Sequence, residues 1–92
     1  MNEVFEALAH PVRREILKLL RKRAMSAGEL AEHFTIAKPT LSGHFTVLKN
    51  ADLVRTERQG TTIIYRLNMS VMEEALAAFA ALAGLKGKER SP

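Results

Sequence analysis

The stretch from Ser26 to Asn50, SAGELAEHFTIAKPTLSGHFTVLKN, constrains the fold more than any other part of the chain. Ser26 followed three residues on by Glu29 is a capping box. The hydroxyl takes the Glu29 amide, and the carboxylate reaches back to the Ser26 amide. Leu30, Ala31 and Phe34 then fall at the i, i+1, i+4 spacing of one apolar helix face. A second helix is expected to begin near Ala37 or Lys38, because Pro39 fits only the first turn, where a missing amide proton costs nothing. Leu41, Phe45 and Leu48 repeat at i, i+4, i+7 and form its buried seam. That seam leaves Lys38, Thr40, Ser42, Gly43 and Thr46 outside, a surface of small or polar side chains with one long cation at its amino end. Two short helices joined in this way make a helix-turn-helix, and a helix with such a face fits a DNA major groove.

Upstream, Val4, Phe5 and Leu8 at i, i+1, i+4 predict a short amphipathic helix over residues 2–9. His10-Pro11 ends it, and Pro11 suits the first position of the next helix. There Ile16, Leu17 and Leu20 face the core, while Arg13, Arg14, Lys18, Arg21 and Lys22 hold the surface. Downstream, Ala51-Asp52 closes the recognition helix, and Leu53–Glu57 and Thr62–Leu67 read as two strands. Arg58-Gln59-Gly60-Thr61 supplies the turn, with Gly60 free to take positive φ. A hairpin alone is marginal and must pack on the helices. Its tip, with Arg58, Gln59 and Thr61, has the character of a wing able to touch DNA backbone or minor groove. An ordinary polar hairpin turn would look the same without the preceding motif.

Asn68 or Ser70 is expected to cap the last helix, with Ser70 and Glu73 forming a second capping box. Met72, Leu76, Phe79 and Leu82 make one apolar stripe along it, surrounded by alanines that favour the helix and permit close approach. Apolar helices thus flank the motif on both sides. They either pack on each other within one chain or join a second copy, and we favour a homodimer through Val4, Phe5, Leu8, Met72, Leu76 and Phe79. A two-fold dimer would set two recognition helices about 34 Å apart, facing successive major grooves of a palindromic site. The chain reads as one domain over residues 1–85, with 86–92 as a disordered tail.

Charge supports a polyanionic partner through its distribution more than its total of +4. Residues 11–23 carry six basic side chains against Glu15, whereas 1–10, 24–36 and 68–85 are each −2. A solvated charged helix explains 11–23 equally well in isolation, and cations at a helix carboxyl end also complement its dipole. Beside a helix-turn-helix, phosphate contact becomes the better reading. The chain has no cysteine, which removes disulfides and thiolate metal sites. No apolar run approaches the roughly 20 residues of a membrane span, and MNEVFEALAH has no basic residue to open a signal peptide. A cytoplasmic protein is expected, so Asn68-Met69-Ser70 reads as an incidental glycosylation triplet.

Leu8-Ala9-His10-Pro11-Val12-Arg13-Arg14-Glu15-Ile16-Leu17, Lys38 to Phe45 followed by Val47-Leu48-Lys49, and Leu53-Val54, Gly60 and Tyr65-Arg66-Leu67 occur in one order. Together they resemble the ArsR/SmtB winged-helix repressors over about residues 2–83, and within them the small SdpR autorepressor type. The resemblance implies a dimeric repressor on an operator in its own promoter. It implies that Lys38, Pro39, Thr40, Ser42, Gly43 and His44 meet the major groove, that Arg13 takes a phosphate, and that Arg58, Gln59, Thr61 and Thr62 form the wing contact. Two positions depart from the pattern. Gly43 stands where many relatives carry Arg, His or another polar side chain, and Thr61 where a cation is common.

Metal-sensing relatives use a cysteine pair early in the motif or Asp and His on the last helix. Here those stretches hold Gly28-Glu29-Leu30-Ala31-Glu32 and Glu73-Glu74, and adjacent glutamates point about 100° apart. His10, His33 and His44 lie on different elements, so no metal or other cofactor is expected. No nucleophile motif or phosphate-cradling glycine loop suggests an enzyme. The sequence therefore predicts a mainly α winged helix-turn-helix with a β-hairpin wing, in the order α-α-α-α-β-β-α. Its predicted function is a sequence-specific repressor whose partners are double-stranded promoter DNA and a second copy, with no membrane insertion. A metal- or small-ligand-responsive repressor, or a helix-turn-helix used for contact with a regulatory protein, are the alternatives.

Overall fold

A computed structural model describes residues 1–85, and the tail expected over 86–92 lies outside them. The elements run α1 (Asn2–Leu8), α2 (Pro11–Lys22), β1 (Met25–Ser26), α3 (Ala27–Ala31), α4 (Lys38–Asn50), β2 (Val54–Gln59), β3 (Thr62–Leu67) and α5 (Met69–Leu82). Pro11 begins α2, and the His10 ring caps it, its Nδ1 accepting the Val12 amide at 3.1 Å. The predicted capping box at α3 is formed in both directions. Glu29 N donates to Ser26 Oγ at 3.0 Å, and Ser26 N donates to Glu29 Oε1 at 2.8 Å. The Ser26 amide holds the Glu29 carboxyl below its ordinary range, with help from Arg23.

The core sits where α2, α3, α4 and the turn after α4 converge. Ile16, Leu30, Leu48 and Leu53 are fully buried there, each contributing about 1.5–3 kcal/mol by leaving water. Leu19 is buried as well, which the α2 pattern of Ile16, Leu17 and Leu20 had not included. A helix packed on two sides buries a wider arc than a single stripe.

The sheet has three strands, not the two expected. Met25-Ser26 pairs antiparallel with Tyr65 and Ile64, giving the order β1-β3-β2. Two residues are too short for any periodicity, and Ser26 already had an assignment as a helix cap. It serves both roles, tying the start of the helix-turn-helix to the wing. The hairpin is also tighter than predicted. Strand pairing continues to Gln59↔Thr62, so only Gly60 and Thr61 form the turn. Gly60 takes φ +66 while Thr61 stays at negative φ, the pattern of a type II′ turn.

The largest local difference from expectation lies at Asn68. Its backbone occupies the position before α5, yet its side chain makes no cap, and Ser70 lies inside the helix. Asn68 is buried and its Nδ2 donates to the Asp52 carbonyl at 2.9 Å, while its own amide donates to the Leu53 carbonyl at 2.8 Å. The cause lies at the end of α4. Asp52 takes φ +61, and Asp52 N and Leu53 N donate to the Lys49 and Leu48 carbonyls, a Schellman closure with Asp where Gly is commonest. Asn68 therefore stitches that turn to the exit of the wing. Asn68→Ala is expected to cost about 1–3 kcal/mol by leaving the Asp52 carbonyl without its side-chain donor, measurable as a lower urea midpoint with unchanged slope. A matching closure ends α5. Gly84 at φ +73 and Leu85 donate to the Ala81 and Ala80 carbonyls and cap the helix.

Candidate nucleic-acid interface

Leu41, Phe45 and Leu48 anchor α4 in the core, and Phe45 packs on Tyr65 of β3 with ring centroids 4.9 Å apart. This anchoring turns Lys38, Pro39, Thr40, Ser42, Gly43 and Thr46 outward, and all of them are exposed. Thr46 Oγ1 donates back to the Ser42 carbonyl at 3.2 Å, whereas the side chains of Lys38, Thr40 and Ser42 make no hydrogen bond or ion pair among the described residues. No side chain caps α4 either, so its amino end presents free amide protons beside these groups. At the wing, Arg58, Gln59, Thr61 and Thr62 are all exposed. Arg66 is the wing cation held in the fold, paired with Glu57 at 3.1 Å.

Gly43 has no packing reason to be glycine, because a Cβ placed there meets nothing within 4 Å. Gly43→Ala is expected to stabilise the fold by about 0.5–1 kcal/mol through helix propensity, seen as a raised thermal midpoint.

Arg13 and His44 are placed differently from the other site residues. Arg13 is half-buried, with Nε and Nη2 donating to the Ala7 and Glu6 carbonyls at 2.8 and 2.9 Å. Its Nη1 lies 3.1 Å from Nδ1 of half-buried His44. The guanidinium thus closes the carboxyl end of α1 and buttresses α4, with two N–H bonds left over. The structure also brings His10 and His44, 34 residues apart, into ring contact at 4.3 Å. No helical spacing signals that meeting. Among the described residues no three His, Cys, Asp or Glu side chains gather as a metal-ligand group.

With Nδ1 facing an Arg donor, the neutral His44 ring carries its proton on Nε2, a tautomer assigned from this bond. Its pKa is lowered from 6.5, first by burial and then by the charges of His10 and Arg13. The unfolded chain therefore takes up this proton more readily than the folded one. The contribution is complete above about pH 6.5 and is lost as pH falls through the lower folded value. The thermal midpoint is expected to drop on acidification below 6.5, with a shallower drop in His44→Gln.

At the opposite side, α5 is only partly seated. Ala75 is buried, but Met69, Leu76, Phe79 and Leu82 are 45, 60, 46 and 77% exposed. Phe79 leans on Phe5 with centroids 4.6 Å apart. Phe5, Leu8 and Met72 are half-buried. Val4, expected at a contact between copies, is 6% exposed and belongs to the protomer's own core. It alternates with Phe5 across α1, whose inner side it fills. No helix among the described residues is long and apolar enough to cross a membrane.

A helix-turn-helix with an exposed polar recognition helix, a hairpin wing and an apolar face on its last helix defines a winged helix-turn-helix protein. The chain belongs to the ArsR/SmtB family of such regulators. Residues 8–57 match the family model described as a helix-turn-helix domain. The transcriptional repressor SdpR of Bacillus subtilis (strain 168) is 45% identical over 83% of this chain and 84% of its own length. An arsenical resistance operon repressor of Staphylococcus xylosus is 36% identical over 79% of this chain and 70% of its own. The crystal structure of an ArsR family transcriptional regulator superposes with a TM-score of 0.82 at 30% identity, covering 91% of this chain and 87% of that one.

Proposed function

We propose that the protein is a sequence-specific DNA-binding transcriptional repressor that acts as a homodimer on a palindromic operator in its own promoter. The observation that carries this reading is the exposed, unpartnered face of Lys38, Thr40 and Ser42 on the uncapped end of α4, next to the exposed wing tip. Its relatives named as repressors support the same class. Lys38, Thr40 and Ser42 read base edges, Gly43 lets the backbone come close, and Arg58, Gln59, Thr61 and Thr62 follow the backbone beside the groove. Pro39 sets the first turn that aims these groups. Arg13 and His44 hold α4 against α1, and the remaining N–H bonds of Arg13 are available to a phosphate. The apolar face of α5 with Phe5, Leu8 and Met72 joins the two copies, and the protein works in the cytoplasm.

The test is anisotropy binding to the protein's own upstream DNA and to random DNA at two salt concentrations. Selective binding at two protomers per site, weakening with salt in proportion to the phosphates neutralised, is the expected result. Equal weak binding to both DNAs would refute the autorepressor assignment.

A further inference from the structure

The recognition helix also forms one wall of a cavity. Between α3, α4 and β3 lies a half-open pocket of about 280 Å3. It exists because α3 offers it only Ala27, Gly28 and Ala31, none with an atom beyond Cβ. Its floor is Leu41 and the tilted aromatic pair Phe45 and Tyr65, all buried. Exposed Lys38 and Ser42 line its mouth. Lys38 has no anionic partner among the described residues. An apolar, aromatic-floored pocket with one cation and one hydroxyl at its edge matches a flat ring carrying a single negative charge.

We propose that this pocket binds a small aromatic carboxylate, which neutralises Lys38 and thereby displaces DNA from the recognition helix. The ring lies against Phe45 and Tyr65, and the carboxylate meets the Lys38 ammonium and the Ser42 hydroxyl. Ligand and base edge then require the same two side chains, so occupancy and base reading exclude each other. The displacement rests on the DNA-reading role of Lys38 and Ser42 given above, whereas ligand binding itself does not.

The protein supplies its own reporter, since Tyr65 is its one tyrosine and it has no tryptophan. Phenylacetate, which absorbs little where tyrosine is excited, is titrated into the free protein while Tyr65 emission is followed. Neutral phenylacetamide, of the same shape, is the control. The expected result is saturation in the millimolar range or tighter for the acid, and binding at least about tenfold weaker for the amide. Ala31→Met, which fills the pocket from α3, is expected to abolish the response while keeping DNA binding. On promoter DNA the acid is expected to release the protein over the same concentration range, and the amide is not. No saturable change, equal response to acid and amide, or a full response in Ala31→Met would overturn the site. DNA retained at saturating phenylacetate would overturn the displacement. A saturable Tyr65 response in a protein that never prefers its promoter DNA would instead sink the repressor reading and leave the ligand site standing.

Discussion

Leu76→Glu is expected to turn the proposed dimer into a monomer and to weaken promoter binding at least about a hundredfold. Leu76 is 60% exposed in the single chain, so the protomer has little to lose and its circular dichroism should stay unchanged. In a two-fold interface each substitution counts twice. Burying a whole leucine contributes about 1.5–3 kcal/mol, and 60% of Leu76 is left to cover, so two lost side chains remove about 2–4 kcal/mol of association energy, or a factor of roughly 30 to 10³. The carboxylates add to the cost by facing apolar surface. Sedimentation equilibrium checks the assembly and anisotropy the DNA affinity. A variant that still sediments as a dimer would show that the copies meet elsewhere than α5.

Lys38→Ala is the second large effect, and it should appear as lost selectivity rather than lost binding. One good base contact discriminates by about 1–3 kcal/mol, and a palindromic site presents the contact twice. Promoter affinity is therefore expected to fall about tenfold or more, while affinity for random DNA falls only by the loss of one charge. Arg58→Ala provides the contrast. At the wing tip it should weaken both DNAs alike and flatten the salt dependence. Equal loss on both DNAs for Lys38→Ala would move that side chain from base reading to backbone contact. Both variants change exposed side chains with no partner among the described residues, so neither effect needs a change in the fold.

The parts of this fold visible in the sequence are those governed by short-range physics. The capping box of Ser26 and Glu29, the Pro11 and Pro39 helix starts and the Leu41, Phe45, Leu48 seam each depend on residues within two turns of one another. So did the outward face of α4, because once the seam is buried the helical period assigns every other position. The Leu76 and Phe79 stripe was equally legible as an apolar face. Whether it is covered is not a property of the helix alone.

Contacts across long sequence separations were decided only by tertiary structure. Met25-Ser26 becomes a strand because the edge of β3 offers hydrogen bonds to it, which no two-residue pattern announces. The Asn68 side chain turns from capping its helix to the Asp52 carbonyl, because the amide is itself buried and needs a protein partner there, whereas water can serve an exposed helix end. The family resemblance implies a phosphate contact for Arg13, and packing of α1 against α4 decides how much of it is left for one, committing three of its five N–H bonds, one of them to His44. The pocket beside Lys38 has the same origin: Ala27, Gly28 and Ala31 are unremarkable in α3 and leave a space only where α4 and Tyr65 close around them. Sequence alone determined the five helices, the two strands of the hairpin and which side of each helix is apolar, because those depend on local geometry and period. The packed structure determined which polar groups remain free to act, because that depends on the partners that distant residues bring.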